Sequence, residues 1–98
     1  MTRTMVRYTT KPEQTEENQR LIEAVFQQLA AETPDGVRYL VLKLGDGDFA
    51  HFIELEGEVH PLRAMAAFQA FQSGARERCQ EGPVHTQATV IGNYRMLR

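Results

Sequence analysis

The chain has 98 residues, 42% hydrophobic and 24% charged, with a formal net charge of −2. That is an ordinary composition for one globular domain, and a chain this short buries only about 60–70% of its unfolded surface. The slightly acidic balance lacks the basic footprint that nucleic acid or an acidic membrane surface demands.

The N-terminus, MTRTMVRYTT, lacks the apolar core of about 7–15 residues that marks a signal peptide. No apolar run approaches the roughly 18 residues of a membrane-spanning helix. Met5 to Thr10 reads as a first strand, with Val6 and Tyr8 on one face and Arg7 and Thr9 on the other. Thr10-Lys11-Pro12-Glu13 has the form of a capping box with proline in the first turn, so a helix is expected from there. Leu21, Ile22, Val25, Phe26 and Leu29 continue it at helical spacing and give one core-facing stripe. Thr33-Pro34-Asp35-Gly36 ends it.

Val37 to Leu55 reads as a β-hairpin turning at Asp46-Gly47, because a type I′ turn needs positive φ at both central residues. That turn sets Leu44 opposite Phe49, Leu42 opposite His51 and Leu40 opposite Ile53, all on one face. The other face then carries Val37, Tyr39, Val41 and Lys43 against Ala50, Phe52, Glu54 and Glu56. A longer turn through Gly45 and Asp48 gives the same faces. Both are apolar enough to be covered.

Glu56-Gly57-Glu58 is a connector, and His60-Pro61 opens a second helix. Leu62, Met65, Ala66, Phe68, Phe71, Gln72 and Ala75 form its broad stripe. Gly74 weakens this helix by about 1 kcal/mol relative to alanine without being expected to end it, and Arg76 and Arg78 suit its C-terminal end. Gly82-Pro83 is the break. Val84 to Leu97 is the last strand, with Ala88, Val90, Gly92 and Tyr94 on one face and Thr89, Ile91, Asn93 and Arg95 on the other.

The order β-α-β-β-α-β is that of a single α+β, ferredoxin-like domain spanning residues 1–98: a four-stranded antiparallel sheet with two helices on one face. Leu42 and Phe71 are expected in its core. Two helices cover only one face, so the apolar second face calls for another copy of the chain, a homodimer packed sheet to sheet.

The stretches VRYTTKPE, DGDFAHFIELEGE, HPLRAMAAFQAFQSGARERC and ATVIGNYRML, which together cover most of the chain, resemble the dimeric α+β barrel superfamily. The resemblance is to the small proteins grouped with antibiotic-biosynthesis monooxygenases. It implies two sheets forming a barrel between protomers and a small-molecule cavity in each subunit. Some relatives are cofactor-free oxygenases of aromatic polyketides, and others degrade haem. The haem-degrading pattern needs a tryptophan, and this chain has none.

Two places carry candidate chemistry. His51, on the leucine-rich face beneath the helices, is either a general base in a pocket or a hydrogen-bonded core histidine. The second face is expected to line the barrel with Tyr39, Phe52 and Glu54, joined by Arg7, Thr9, Asn93 and Arg95 from the outer elements. With the first and third strands taken as parallel neighbours, Arg7 reaches Glu54. These groups either bind a small aromatic or acidic metabolite or form an ion pair at the dimer interface. No metal site is expected, because His51, His60, His85 and Cys79 have no ligand spacing. Asp46-Gly47-Asp48 is a turn rather than a calcium loop. Cys79, the only cysteine, allows no internal disulfide and suits a reducing, cytoplasmic setting. The readings left are a cofactor-free monooxygenase-like enzyme acting on a small aromatic molecule, or a non-catalytic dimeric binding or interaction protein. The sequence does not decide between them.

Overall fold

A computed structural model describes residues 1–97. Strand β1 (Thr2–Thr10) leads through a 3-10 turn at Pro12–Gln14 into helix α1 (Thr15–Glu32). The hairpin β2 (Val37–Leu44) and β3 (Asp48–Leu55) follows. A second 3-10 turn (Pro61–Ala64), helix α2 (Ala66–Gln72) and the single turn α3 (Ala75–Arg78) then lead into β4 (Cys79–Gln87). The sheet order is β2-β3-β1-β4, antiparallel throughout. This is the expected ferredoxin-like arrangement, with the helices on one face. The core lies between them and the sheet, built from Tyr8, Ile22, Val25, Phe49, Leu62, Met65, Phe68 and Phe71.

The helix boundaries differ from expectation in two places. Thr10 does not cap a helix; its hydroxyl bonds the Thr15 hydroxyl at 2.8 Å and the Gly47 carbonyl at 3.1 Å, tying three elements together. The second helix is broken. Its backbone turns extended at Met65, and Gly74 takes φ +95°, a left-handed conformation that costs glycine little.

The hairpin register is one residue away from the expected one. The loop is Gly45-Asp46-Gly47, so Leu44 pairs with Asp48, Leu42 with Ala50, Val41 with His51, Leu40 with Phe52 and Tyr39 with Ile53. A one-residue slip exchanges the faces. The cause lies in β1, which anchors β3 independently of the turn: Thr10 N–H donates to the Gly47 carbonyl at 2.8 Å and the Thr9 hydroxyl to Asp48 at 2.5 Å. Tyr39 and Val41 therefore join Phe49, His51 and Ile53 under the helices, while Leu40, Leu42 and Leu44 face outward with Phe52 and Glu54. Leu42 is 50% exposed and is not core in the single chain, whereas Phe71 at 7% is.

Strands β1 and β3 are antiparallel, not parallel. Arg3, not Arg7, therefore stands opposite Glu54, and Arg7 stands opposite Ala50. The last strand also begins earlier than expected. It pairs Cys79 with Thr10 and runs to Gln87 opposite Thr4, with a register shift near Gly82. Gly82-Pro83 sits inside this strand instead of preceding it. A Cβ on Gly82 would lie 2.9 Å from the Arg7 carbonyl oxygen, at φ +89°, so glycine alone fits. After a last bond from Ala88 N–H to the Arg3 carbonyl, only Thr2 of β1 lies beyond the pairing. Residues 88–97 are consequently irregular, and Asn93 and Arg95 do not belong to the sheet.

Candidate functional site

Between the sheet and the α2–α3 layer lies a cavity of about 670 Å³. Val6, Ile53, Phe68 and Phe71 supply apolar wall, Tyr8, Tyr39 and His51 supply polar groups on the sheet side, and His60, Arg63, Arg76, Glu77 and His85 add others to the lining. Strand alternation puts these residues there: Val6 and Tyr8 on β1, Tyr39 on β2 and His51 on β3 all point to the helix side.

His51 is 2% exposed and is held between two phenols. Its Nε2 lies 2.6 Å from the Tyr8 hydroxyl and its Nδ1 2.6 Å from the Tyr39 hydroxyl. The Asn18 amide donates to the Tyr8 hydroxyl at 2.9 Å, and Arg78 Nε donates to Asn18 Oδ1 at 3.1 Å. Arg78 also donates to the Phe71 carbonyl at 2.5 Å, with its guanidinium 5.2 Å from the centre of the Phe71 ring. The result is one polar row, Arg78–Asn18–Tyr8–His51–Tyr39, set among aromatic rings. Tyr39 stacks on Phe26 at 5.0 Å, and His51 lies 5.3 Å from Phe71.

Burial sets the ionisation of the row. Desolvation, with a smaller contribution from the charge of His85, lowers the His51 pKa to about 4, so the imidazole is neutral at pH 7. Desolvation likewise raises the Tyr8 and Tyr39 phenols, which stay protonated. Burial raises the Cys79 thiol as well, which keeps it from being a ready nucleophile.

The barrel-side residues do not converge. Arg7 lies exposed on the outer face, in a shallow groove with Thr9, Asp48 and Val84. Glu54 is 3% exposed on that face, 2.7 Å from Arg3 and 3.6 Å from Arg38. Phe52 stands beside it, half-buried. Arg95 stacks on the ring of its neighbour Tyr94 at 5.0 Å, and Asn93 Oδ1 accepts from the Met96 and Leu97 amides at 3.1 and 2.9 Å. Tyr39 alone among those candidates reaches the cavity, where it meets His51.

Sequence reasoning missed Tyr8, Asn18 and Arg78 as members of the site. Two signals were present. Asn18 continues the α1 core stripe backwards from Ile22 and Val25, and Arg78 lies two helical turns beyond Phe71.

The arrangement defines a class: a ferredoxin-like α+β domain with a helix-roofed cavity and a neutral histidine at its floor. Solved structures make the class narrower. Rv0793 from Mycobacterium tuberculosis superposes with a TM-score of 0.73 at 16% identity, covering 94% of this chain and 96% of that one. A provisionally named antibiotic biosynthesis monooxygenase from Nitrosomonas europaea gives 0.73 at 14% identity, covering 92% and 89%. A further antibiotic biosynthesis monooxygenase gives 0.69 at 15%, covering 94% and 100%. The chain thus has the fold of the antibiotic biosynthesis monooxygenase proteins, in agreement with the resemblance read from its sequence. No protein-family model and no curated protein matches the sequence.

Proposed function

We propose that the cavity binds a small, weakly acidic aromatic molecule and that the chain acts on it as a cofactor-free, monooxygenase-like enzyme. One observation carries this reading: a neutral His51 held between two phenols at the floor of an aromatic-walled cavity of about 670 Å³. That volume suits a ligand of a few fused rings, since small-molecule sites run from about 300 to 1,000 Å³.

The chemistry needs no external reductant. A substrate with an activated CH2 group loses a proton to solvent, and the resulting carbanion reduces dioxygen, giving a carbonyl and hydroxide. The hydroxide takes a proton to become water. Making the anion is the demanding step, and hydrogen-bond donors fixed in a dry site lower its cost. To test this, a panel of hydroxylated two- and three-ring aromatic ketones is screened for thermal stabilisation and for oxygen uptake. At least one compound is expected both to raise Tm and to drive oxygen consumption matched by its own loss. Stabilisation without oxygen uptake would instead support a non-catalytic binding protein.

The working unit we propose is a homodimer joined through the outer sheet face. Leu40, Leu42 and Leu44 on the edge strand β2 are 41–50% exposed there, and Val84 on the opposite edge strand β4 is 60% exposed, more exposed apolar surface than scattered surface residues explain. Light scattering at micromolar concentration is expected to give twice the 11.2 kDa chain mass, and Leu42→Asp is expected to give the single chain. A wild type that is monomeric under these conditions rules the dimer out. A reducing, cytoplasmic setting suits the lone Cys79.

A further inference from the structure

The polar row beneath the helices has a direction, fixed at its far end. Arg78 is 6% exposed and its guanidinium has only hydrogens to give. Asn18 must therefore turn its carbonyl oxygen toward Arg78, which leaves its NH2 to face Tyr8. The Tyr8 oxygen thus accepts from Asn18. Among the described residues its only other partner is His51 Nε2. Were Nε2 protonated, it too would donate to Tyr8, and the phenol hydrogen, in a residue 7% exposed, would have nothing to bond. The satisfied arrangement has Tyr8 donating to Nε2. A neutral imidazole carries one ring hydrogen, so that hydrogen is on Nδ1 and is donated to the Tyr39 oxygen. Each bond then points the same way, from a buried cation at one end to Tyr39 at the other, and such chains polarise cooperatively.

One hydrogen remains at the end of the row, that of the Tyr39 hydroxyl, and Tyr39 lines the cavity. We propose that Tyr39 is the oxyanion-binding donor of this site, and that the cavity takes its ligand through a carbonyl, enolate or phenolate oxygen placed on that hydroxyl. Asn18, Tyr8 and His51 act as positioning residues that set which way Tyr39 points its hydrogen. The inference rests on the cavity being a ligand site and adds the chemical group it selects: weakly acidic phenols and enolisable ketones, held as their anions.

The test uses 4-nitrophenol, whose anion absorbs in the visible, with 4-nitroanisole as a probe of the same shape that cannot ionise. On the wild type, bound 4-nitrophenol is expected to ionise at least one pH unit below the free compound, a tenfold preference for phenolate, equivalent to about 1.4 kcal/mol. Tyr39→Phe removes the donor and is expected to abolish the shift. Asn18→Asp is the sharper variant. Its carboxylate accepts from Arg78 and has no hydrogen for Tyr8, so Tyr8 donates to it and accepts from Nε2–H. Nδ1 is then left to accept the Tyr39 hydrogen. The row reverses, and the shift should vanish in a protein that keeps the Arg78 contact. Both variants are expected still to bind 4-nitroanisole, which shows that the cavity has kept its shape. A shift retained in both variants, or absent from the wild type while 4-nitroanisole binds, overturns the inference and leaves the cavity reading standing. Failure of both probes to bind the wild type overturns both.

Discussion

Replacing Phe71 with alanine is expected to lower stability by about 3–5 kcal/mol, the usual range for removing a buried aromatic ring. The upper part of the range is the more fitting, for two reasons. The ring is surrounded on several sides, 5.3 Å from His51, 6.4 Å from Phe68 and 5.2 Å below the Arg78 guanidinium. Its removal also takes a π face from a desolvated cation, an interaction worth about 2 kcal/mol in such settings. Urea unfolding should show the loss as a lower midpoint at an unchanged m-value. Leu42→Ala provides the contrast. Leu42 is half exposed in the single chain, so at concentrations too low for association its truncation should stay within the range of surface substitutions, about 0.5 kcal/mol. A loss below about 1 kcal/mol for Phe71→Ala would mean that α2 does not pack on the sheet as described.

The contrast between Phe71 and Leu42 also marks what the sequence disclosed. Element order was legible because each element repeats at its own period: the α1 stripe at Ile22 and Val25, the β1 alternation at Val6 and Tyr8, the aromatic pair Phe68 and Phe71. Register was not. The Asp46-Gly47 signal is local, whereas the pairing is set by bonds from Thr9 and Thr10, more than thirty residues earlier in the chain. One residue of slip moved Tyr39 from the barrel side to His51 and moved Leu42 out of the core. The end of the last strand was hidden for a similar reason. Residues 88–97 alternate well enough for a strand, but the pairing with β1 ends at Gln87 opposite Thr4, with one last bond from Ala88 to Arg3. The candidate site shows the same split. His51 stood out as a lone histidine among apolar residues, while its partner Tyr8, and Asn18 and Arg78 further along the row, come from β1, α1 and α3. No local pattern could bring those together.

Acid is expected to destabilise the fold between pH 6.5 and about 4, chiefly through His51. The folded-state pKa of about 4 lies below the ordinary value of 6.5. The unfolded chain therefore takes up a proton here that the folded chain refuses, and stability falls as pH is lowered through this window. The stabilisation is complete above pH 6.5 and is gone once the pH passes below the folded value. With a shift of between two and three units and about 1.4 kcal/mol per unit, the loss amounts to roughly 3 kcal/mol. The physical cause is first the desolvation of a charged ring, with His85 adding to it. Both ring nitrogens are occupied by phenols, and neither phenol can give up a proton to become a counter-ion, because burial raises both. A second positive charge would also sit on the same row as Arg78 and near His85. Urea midpoints between pH 7 and 5, above the range where most carboxylates titrate, should show the effect. His51→Gln retains one donor and one acceptor and is expected to flatten most of the slope. His60, also lowered by burial, should leave a smaller one of the same sign. Equal slopes in wild type and His51→Gln would mean that His51 takes up its proton in the folded protein as readily as in the unfolded chain.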